Sequence, residues 1–118
     1  MAVLEGYKYV KDPDGIALTQ LVAAGVTDTI KTLGFDEITA QYTIATINTT
    51  VVVRLEGSID NSSWFNLDFD EQDTTQTANG TYALKYDGKV PFIRFRFVSE
   101  TGGTAATIAV VIYLGGIL

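Results

Sequence analysis

Apolar and polar residues alternate along most of this chain, and Gly, Pro, Asn and Asp break the alternation at short intervals. The clearest stretch is residues 51–69, VVVRLEGSIDNSSWFNLDF. Its first arm places Val51, Val53, Leu55 and Ile59 on one face and Val52, Arg54, Glu56 and Ser58 on the other, the period of a half-buried strand. Asp60, Asn61, Ser62 and Ser63 suit a tight turn, because their side chains bond nearby backbone groups. On the second arm Phe65, Leu67 and Phe69 alternate with Trp64, Asn66, Asp68 and Asp70, so Phe65 and Leu67 are expected to pack inward and Trp64 to face outward.

The same period recurs on both sides. Residues 37–48 put Ile38, Ala40, Tyr42 and Ile44 on one face, and the phase slips near Ala45, as at a bulge or strand end. Residues 81–87 alternate Tyr82, Leu84 and Tyr86 with Ala83 and Lys85. Residues 92–100 alternate Ile93, Phe95 and Phe97 with Arg94 and Arg96, and Glu56, Asp68 and Asp70 are candidate partners for that arginine pair. Residues 99–104, SETGGT, read as a hairpin loop. Residues 105–114 are apolar on both faces, which predicts a strand central in a sheet or covered by another molecule. Residues 16–24 read as a strand, with helical spacing as the alternative, and residues 26–33 alternate only loosely. Asp12-Pro13-Asp14-Gly15 is a strong turn signal.

These elements predict an all-β fold: a single-domain antiparallel β-sandwich, jelly-roll-like, with a barrel as second choice. Residues 1–15 form an N-terminal arm or leading strand, and residues 16–118 the sandwich. At 118 residues and 47% hydrophobic the chain has material for one real core.

Composition narrows the chemistry. There is no Cys and no His, which removes disulfides, thiolate nucleophiles, Cys-ligated metals and the commonest general base. Absence of cysteine fits folding in a reducing cytoplasm. The net charge of −6 disfavours nucleic-acid phosphates and anionic membranes as partners. The N-terminus lacks the basic start and unbroken apolar core of a signal peptide, and no apolar run reaches the ~20 residues of a membrane span. The Asp-x-Asp-Gly at 12–15 lacks the later ligands of a calcium loop, and Asp68, Asp70, Glu71 and Asp73 read as a solvated acidic loop. No enzyme, cofactor or metal is expected. Trp64, Phe65, Tyr82 and Tyr86 could form an aromatic platform for sugar rings, and core packing is the competing role for all but Trp64.

Two resemblances attach to these residues. LEGSIDNSSWFNLD resembles the strand–turn–strand of jelly-roll modules such as discoidin-like domains. EGSIDNSSWFNLD, NGTYALKYDG and PFIRFRFVSETGGTAATIAVVIYLGG together resemble the small β-sandwich proteins that decorate or cement the capsids of tailed bacteriophages, and related phage structural proteins. The resemblance implies a virion structural protein on the capsid surface, made in the host cytoplasm, bound to the major capsid protein and assembled as a homo-oligomer (trimer or dimer). A carbohydrate-binding module, or a phage tail or head-closure component, is the alternative. The apolar C-terminal strand and the turn-rich N-terminus suggest clamps, so the expected partner contacts are Tyr7, Tyr9, Trp64, Tyr113, Ile117 and Leu118.

Overall fold

The computed structural model describes residues 8–10, 17–18, 25–68, 72–102 and 106–116. These hold eleven strands: β1 (Lys8–Val10), β2 (Ala17–Leu18), β3 (Gly25–Val26), β4 (Ile30–Lys31), β5 (Glu37–Ala45), β6 (Thr50–Ser58), β7 (Phe65–Asn66), β8 (Thr74–Gln76), β9 (Gly80–Asp87), β10 (Phe92–Thr101) and β11 (Thr107–Gly115). All pairings are antiparallel and fall into two sheets. Sheet I runs β1–β11–β5–β9, with β2 also on β11; sheet II runs β3–β10–β6–β7, with β4 on β10 and β8 on β6.

The short strands pair off as halves of interrupted edges. Counting β1 with β2, β3 with β4, and β7 with β8 leaves eight positions in chain order. Positions one, eight, three and six make sheet I; two, seven, four and five make sheet II. That is the connectivity of a jelly roll, and two separate sheets replace the alternative of a closed barrel. The connection predicted as a hairpin at residues 99–104 is instead a crossover, because β10 lies in sheet II and β11 in sheet I; residues 103–105 lie outside the described set. Turn chemistry alone cannot distinguish the two, since a hairpin and a sheet-switching loop need the same glycines.

The core lies between the sheets. Ile38, Ala40, Tyr42 and Ile44 of β5 and Ile108, Val110, Ile112 and Leu114 of β11 face Val51, Val53 and Leu55 of β6 and Ile93, Phe95 and Phe97 of β10. Each such Ile, Leu, Val or Phe contributes on the order of 2 kcal/mol by leaving water. The apolar last strand is central in its sheet, flanked by β1 and β2 on one side and β5 on the other. Tyr42 is wholly buried, with its ring 5.1 Å from Phe95 and 5.6 Å from Tyr82. Its hydroxyl accepts a hydrogen bond from Gln76 Nε2. Burial raises the phenol above its ordinary value, against the opposing pull of the Gln76 bond.

The phase slip near Ala45 is a strand end. Thr46 has φ of 61°, and this left-handed residue turns Ile47 back to pack against the core. Between β3 and β4 the edge is broken by buried Thr27, whose Oγ1 accepts from Phe95 N–H at 3.0 Å while its own N–H donates to Phe95 O. A hydroxyl thus replaces a backbone carbonyl at a bulge that blunts this edge. A second irregularity, between Phe97 and Ser99, shifts the register of β10 on β6.

Candidate functional site

The outer faces of the two sheets are built very differently. On sheet II, Glu56 stands directly opposite Arg94, and Arg54 directly opposite Arg96. Two like charges opposite one another on a sheet are destabilising. Glu56 resolves the conflict: its Oε2 accepts from Arg54 Nη1 at 3.1 Å and from Arg96 Nε at 2.8 Å, and its Oε1 from Arg94 Nε at 2.7 Å. The long arginine stems cover the carboxylate, so an outward-facing glutamate is only 3% exposed. Burial opposes its charge, but the hydrogen bonds from Arg96, Arg94 and Arg54 outweigh it and hold the carboxyl below its ordinary value.

The network extends at both ends. Asp73 takes Arg54 in a two-bond fork, Nε to Oδ1 at 2.7 Å and Nη2 to Oδ2 at 3.0 Å, and accepts a further bond from Asn66 Nδ2. At the other end the Arg94 guanidinium lies 4.0 Å from the centre of the Trp64 ring. Trp64 thus has the outward parity predicted for it, and one of its faces is occupied by Arg94. Of the three carboxylates proposed for the arginine pair, Glu56 is the partner, Asp68 makes no ion pair among the described residues, and Asp70 lies outside them. Three guanidinium groups against two carboxylates leave one positive charge in excess, in a chain whose net charge is −6.

The turn after β6 forms as its residues suggest. Asp60 Oδ1 accepts from the Ser62 and Ser63 amides at 2.9 and 2.8 Å and from the Ser58 hydroxyl at 3.1 Å. Those bonds from Ser63, Ser62 and Ser58 hold the Asp60 carboxyl below its ordinary value. Two inward expectations fail here. Ile59 is 73% exposed because the strand ends at Ser58, and Phe65 is 46% exposed. Phe65 has inward parity opposite Gly57, but the space beneath is already filled: a Cβ on Gly57 would sit 2.9 Å from Leu67 Cδ2 and 3.0 Å from Val90 Cγ2. Leu67 takes that place, as predicted, and is buried.

The outer face of sheet I is made of Thr39, Gln41, Thr43, Thr81, Ala83, Thr107, Ala109, Val111 and Tyr113, small or neutral residues bordered by Glu37, Lys85 and Asp87. Across its strands the hydroxyls of Thr43 and Thr81 meet, Oγ1 to Oγ1, at 3.0 Å. At one end β1 runs against β11, with Tyr9 directly opposite Tyr113 and Lys8 opposite Leu114. The Tyr113 ring lies over Gly115, where an added Cβ would come within 2.7 Å of it. Two of the six expected contacts, Tyr9 and Tyr113, are therefore register partners on adjacent strands, and Trp64 belongs to the other sheet. Tyr7, Ile117 and Leu118 lie outside the described residues, as do the turn at 12–15 and Glu71.

The sugar platform does not assemble. Tyr82 and Tyr86 have inward parity on β9, Tyr82 bonding Ala78 O at 2.6 Å, whereas Trp64 and Phe65 sit at the end of sheet II. Among the described residues no group of acidic side chains is arranged to hold a metal ion, and no helix is long and apolar enough to cross a membrane. The Glu56 network is half legible in the sequence: strand parity names the Arg pair and its carboxylate, but not the burial of Glu56. No family model, curated protein or solved structure matches the chain.

Proposed function

We propose that the protein is a non-enzymatic structural component of a tailed-phage virion. It binds the outer face of the capsid, contacts the major capsid protein and stabilises the shell as a decoration or cement protein. The supporting observation is the antiparallel pairing of β1 with β11, which sets Tyr9 opposite Tyr113, so that the chain enters β1 and leaves β11 at the same end of sheet I. A strand start, a strand end and two tyrosine positions gathered at one pole form a compact anchor. Decoration requires contact area repeated by shell symmetry rather than catalytic groups. A rigid jelly roll with a cross-braced second sheet suits a shell exposed to osmotic and mechanical stress.

The test is co-sedimentation with shells of the phage that encodes the chain, together with their melting temperature. Wild-type protein is expected to pellet with shells and raise that temperature. Tyr9→Ala and Tyr113→Ala should each weaken binding while the far-ultraviolet spectrum stays that of a sheet protein. Binding to isolated tails in place of shells would move the protein to the tail. Glycan binding that disappears in Trp64→Ala, with no affinity for shells, would replace the proposal by a carbohydrate-binding module.

A further inference from the structure

Among the described residues the jelly roll has four sheet edges, and three of them are interrupted. The β1/β2 edge consists of segments of three and two residues, the β3/β4 edge of two and two, and the β7/β8 edge of two and three. Short, interrupted edges are how sheet proteins prevent unwanted strand addition. The fourth edge is different. β9 runs for eight residues with no proline, and its register on β5 is unbroken from Asp87 opposite Glu37 to Gly80 opposite Ile44. Among the described residues nothing pairs with its other side. Among the described residues the alternate N–H and C=O groups on that side of the strand therefore take no ladder partner.

We propose that this edge is a self-association site, at which β9 of a second copy adds antiparallel about a two-fold axis and joins two copies of sheet I into one. The residues favour a copy of the same chain. With the axis at Leu84, Leu84 meets its own equivalent, and Tyr82 meets Tyr86 of the second copy twice. All three have inward parity and are only half-buried in the single chain, so the pairing covers apolar surface left open at the sandwich edge. On the outer face Ala83 then stands opposite Lys85 of the second copy, and Thr81 opposite Asp87. β9 carries one Lys and one Asp in an otherwise acidic chain, so two copies approach there without the repulsion the whole molecule would generate. The pairing is isologous and closes at two copies, leaving both outer faces and the Tyr9–Tyr113 pole uncovered. The inference stands independently of the capsid reading.

The register makes a signed prediction. Ala83 is exposed and outward, so substitution there leaves the core untouched. Ala83→Lys sets a lysine opposite Lys85 of the second copy, and two-fold symmetry counts the clash twice. Dimerisation of the full-length protein, measured by sedimentation equilibrium, should weaken about tenfold. Ala83→Glu sets a carboxylate opposite the same lysine and should tighten it by a comparable factor. The double variant A83K/K85E should recover dimerisation toward wild type. Circular dichroism of each variant separates loss of association from loss of fold. A wild-type chain that stays monomeric at all concentrations overturns the proposal, and so do Ala83→Lys and Ala83→Glu shifting the equilibrium the same way. A dimer that persists in Ala83→Lys with unchanged affinity places the contact elsewhere and overturns it equally.

Discussion

The two outer faces of this sandwich solve the problem of a solvent-facing sheet in opposite ways. Sheet II fixes its outer side chains to one another through a buried carboxylate, three guanidinium groups and an indole. Sheet I carries mainly small or neutral outer residues, bordered by Glu37, Lys85 and Asp87, with the hydroxyl pair of Thr43 and Thr81 reaching across its strands. The arginines, Glu56 and Asp73 at the centre of the charged face are engaged with one another, and a partner reaches them only by breaking internal bonds. The mainly neutral face of sheet I carries no such ion network, so covering it costs less desolvation than covering the charges of sheet II. Side-chain charge here marks the outer face that is braced from within. The more charged surface is the more structural one.

The strongest way to break that contrast is Glu56→Gln, which leaves three arginines around a neutral amide. Chemical denaturation should show a loss of about 3 kcal/mol, the scale of removing one member of a buried ion network whose other members are partly solvated. The same variant carries a pH signature. Folded Glu56 stays ionised to lower pH than in the unfolded chain, so between those two values the unfolded state binds more protons. The stability Glu56 contributes is complete above the ordinary carboxylate range and is lost as pH falls through the depressed folded value. The wild-type advantage over Glu56→Gln should shrink across that acid window and be constant above it.

Arg94→Ala should cost about 1–2 kcal/mol, from one bond to Glu56 and the stacking on Trp64. Because Trp64 is the sole tryptophan, its fluorescence reports the same change directly, shifting to longer wavelength as water reaches the exposed ring face. At the small end, Thr81→Val on sheet I should change stability by less than about 0.5 kcal/mol, since an exposed hydroxyl partner is replaced by water. A large loss there would show that the neutral face is braced after all.

Strand parity makes most of this architecture legible in the sequence. It places the inward residues of β5, β6, β9 and β10, the outward Trp64, and Glu56 as a candidate for the arginine pair; turn chemistry adds the Asp60–Ser63 turn, and β11, apolar on both faces, is placed only as a central or covered strand. Parity misses what depends on three-dimensional neighbours. Ile59 and Phe65 have inward parity yet are exposed, one because the strand has already ended and the other because Leu67 and Val90 occupy the space above Gly57. The crossover after β10 reads as a hairpin because loop residues report a change of direction and not which sheet the chain enters next. The burial of Glu56 is hidden because its cover comes from side chains on two different strands.

The central position of β11 also sets the order in which the molecule can be made. β5 can complete its pairing with β9 only after residues through Asp87 exist, and β6 with β10 only after Thr101 has been added. The first two segments of sheet I, β1 and β2, have no described partner except β11, the last of the eleven strands. During synthesis these early segments must wait for nearly all the residues between them and β11, and β5 keeps an unpaired hydrophobic edge until the same moment. Closing sheet I is thus a late, long-range event, the slow kind in a β-fold. The ribosome-bound chain passes through a stage in which half of its future core lacks a wall.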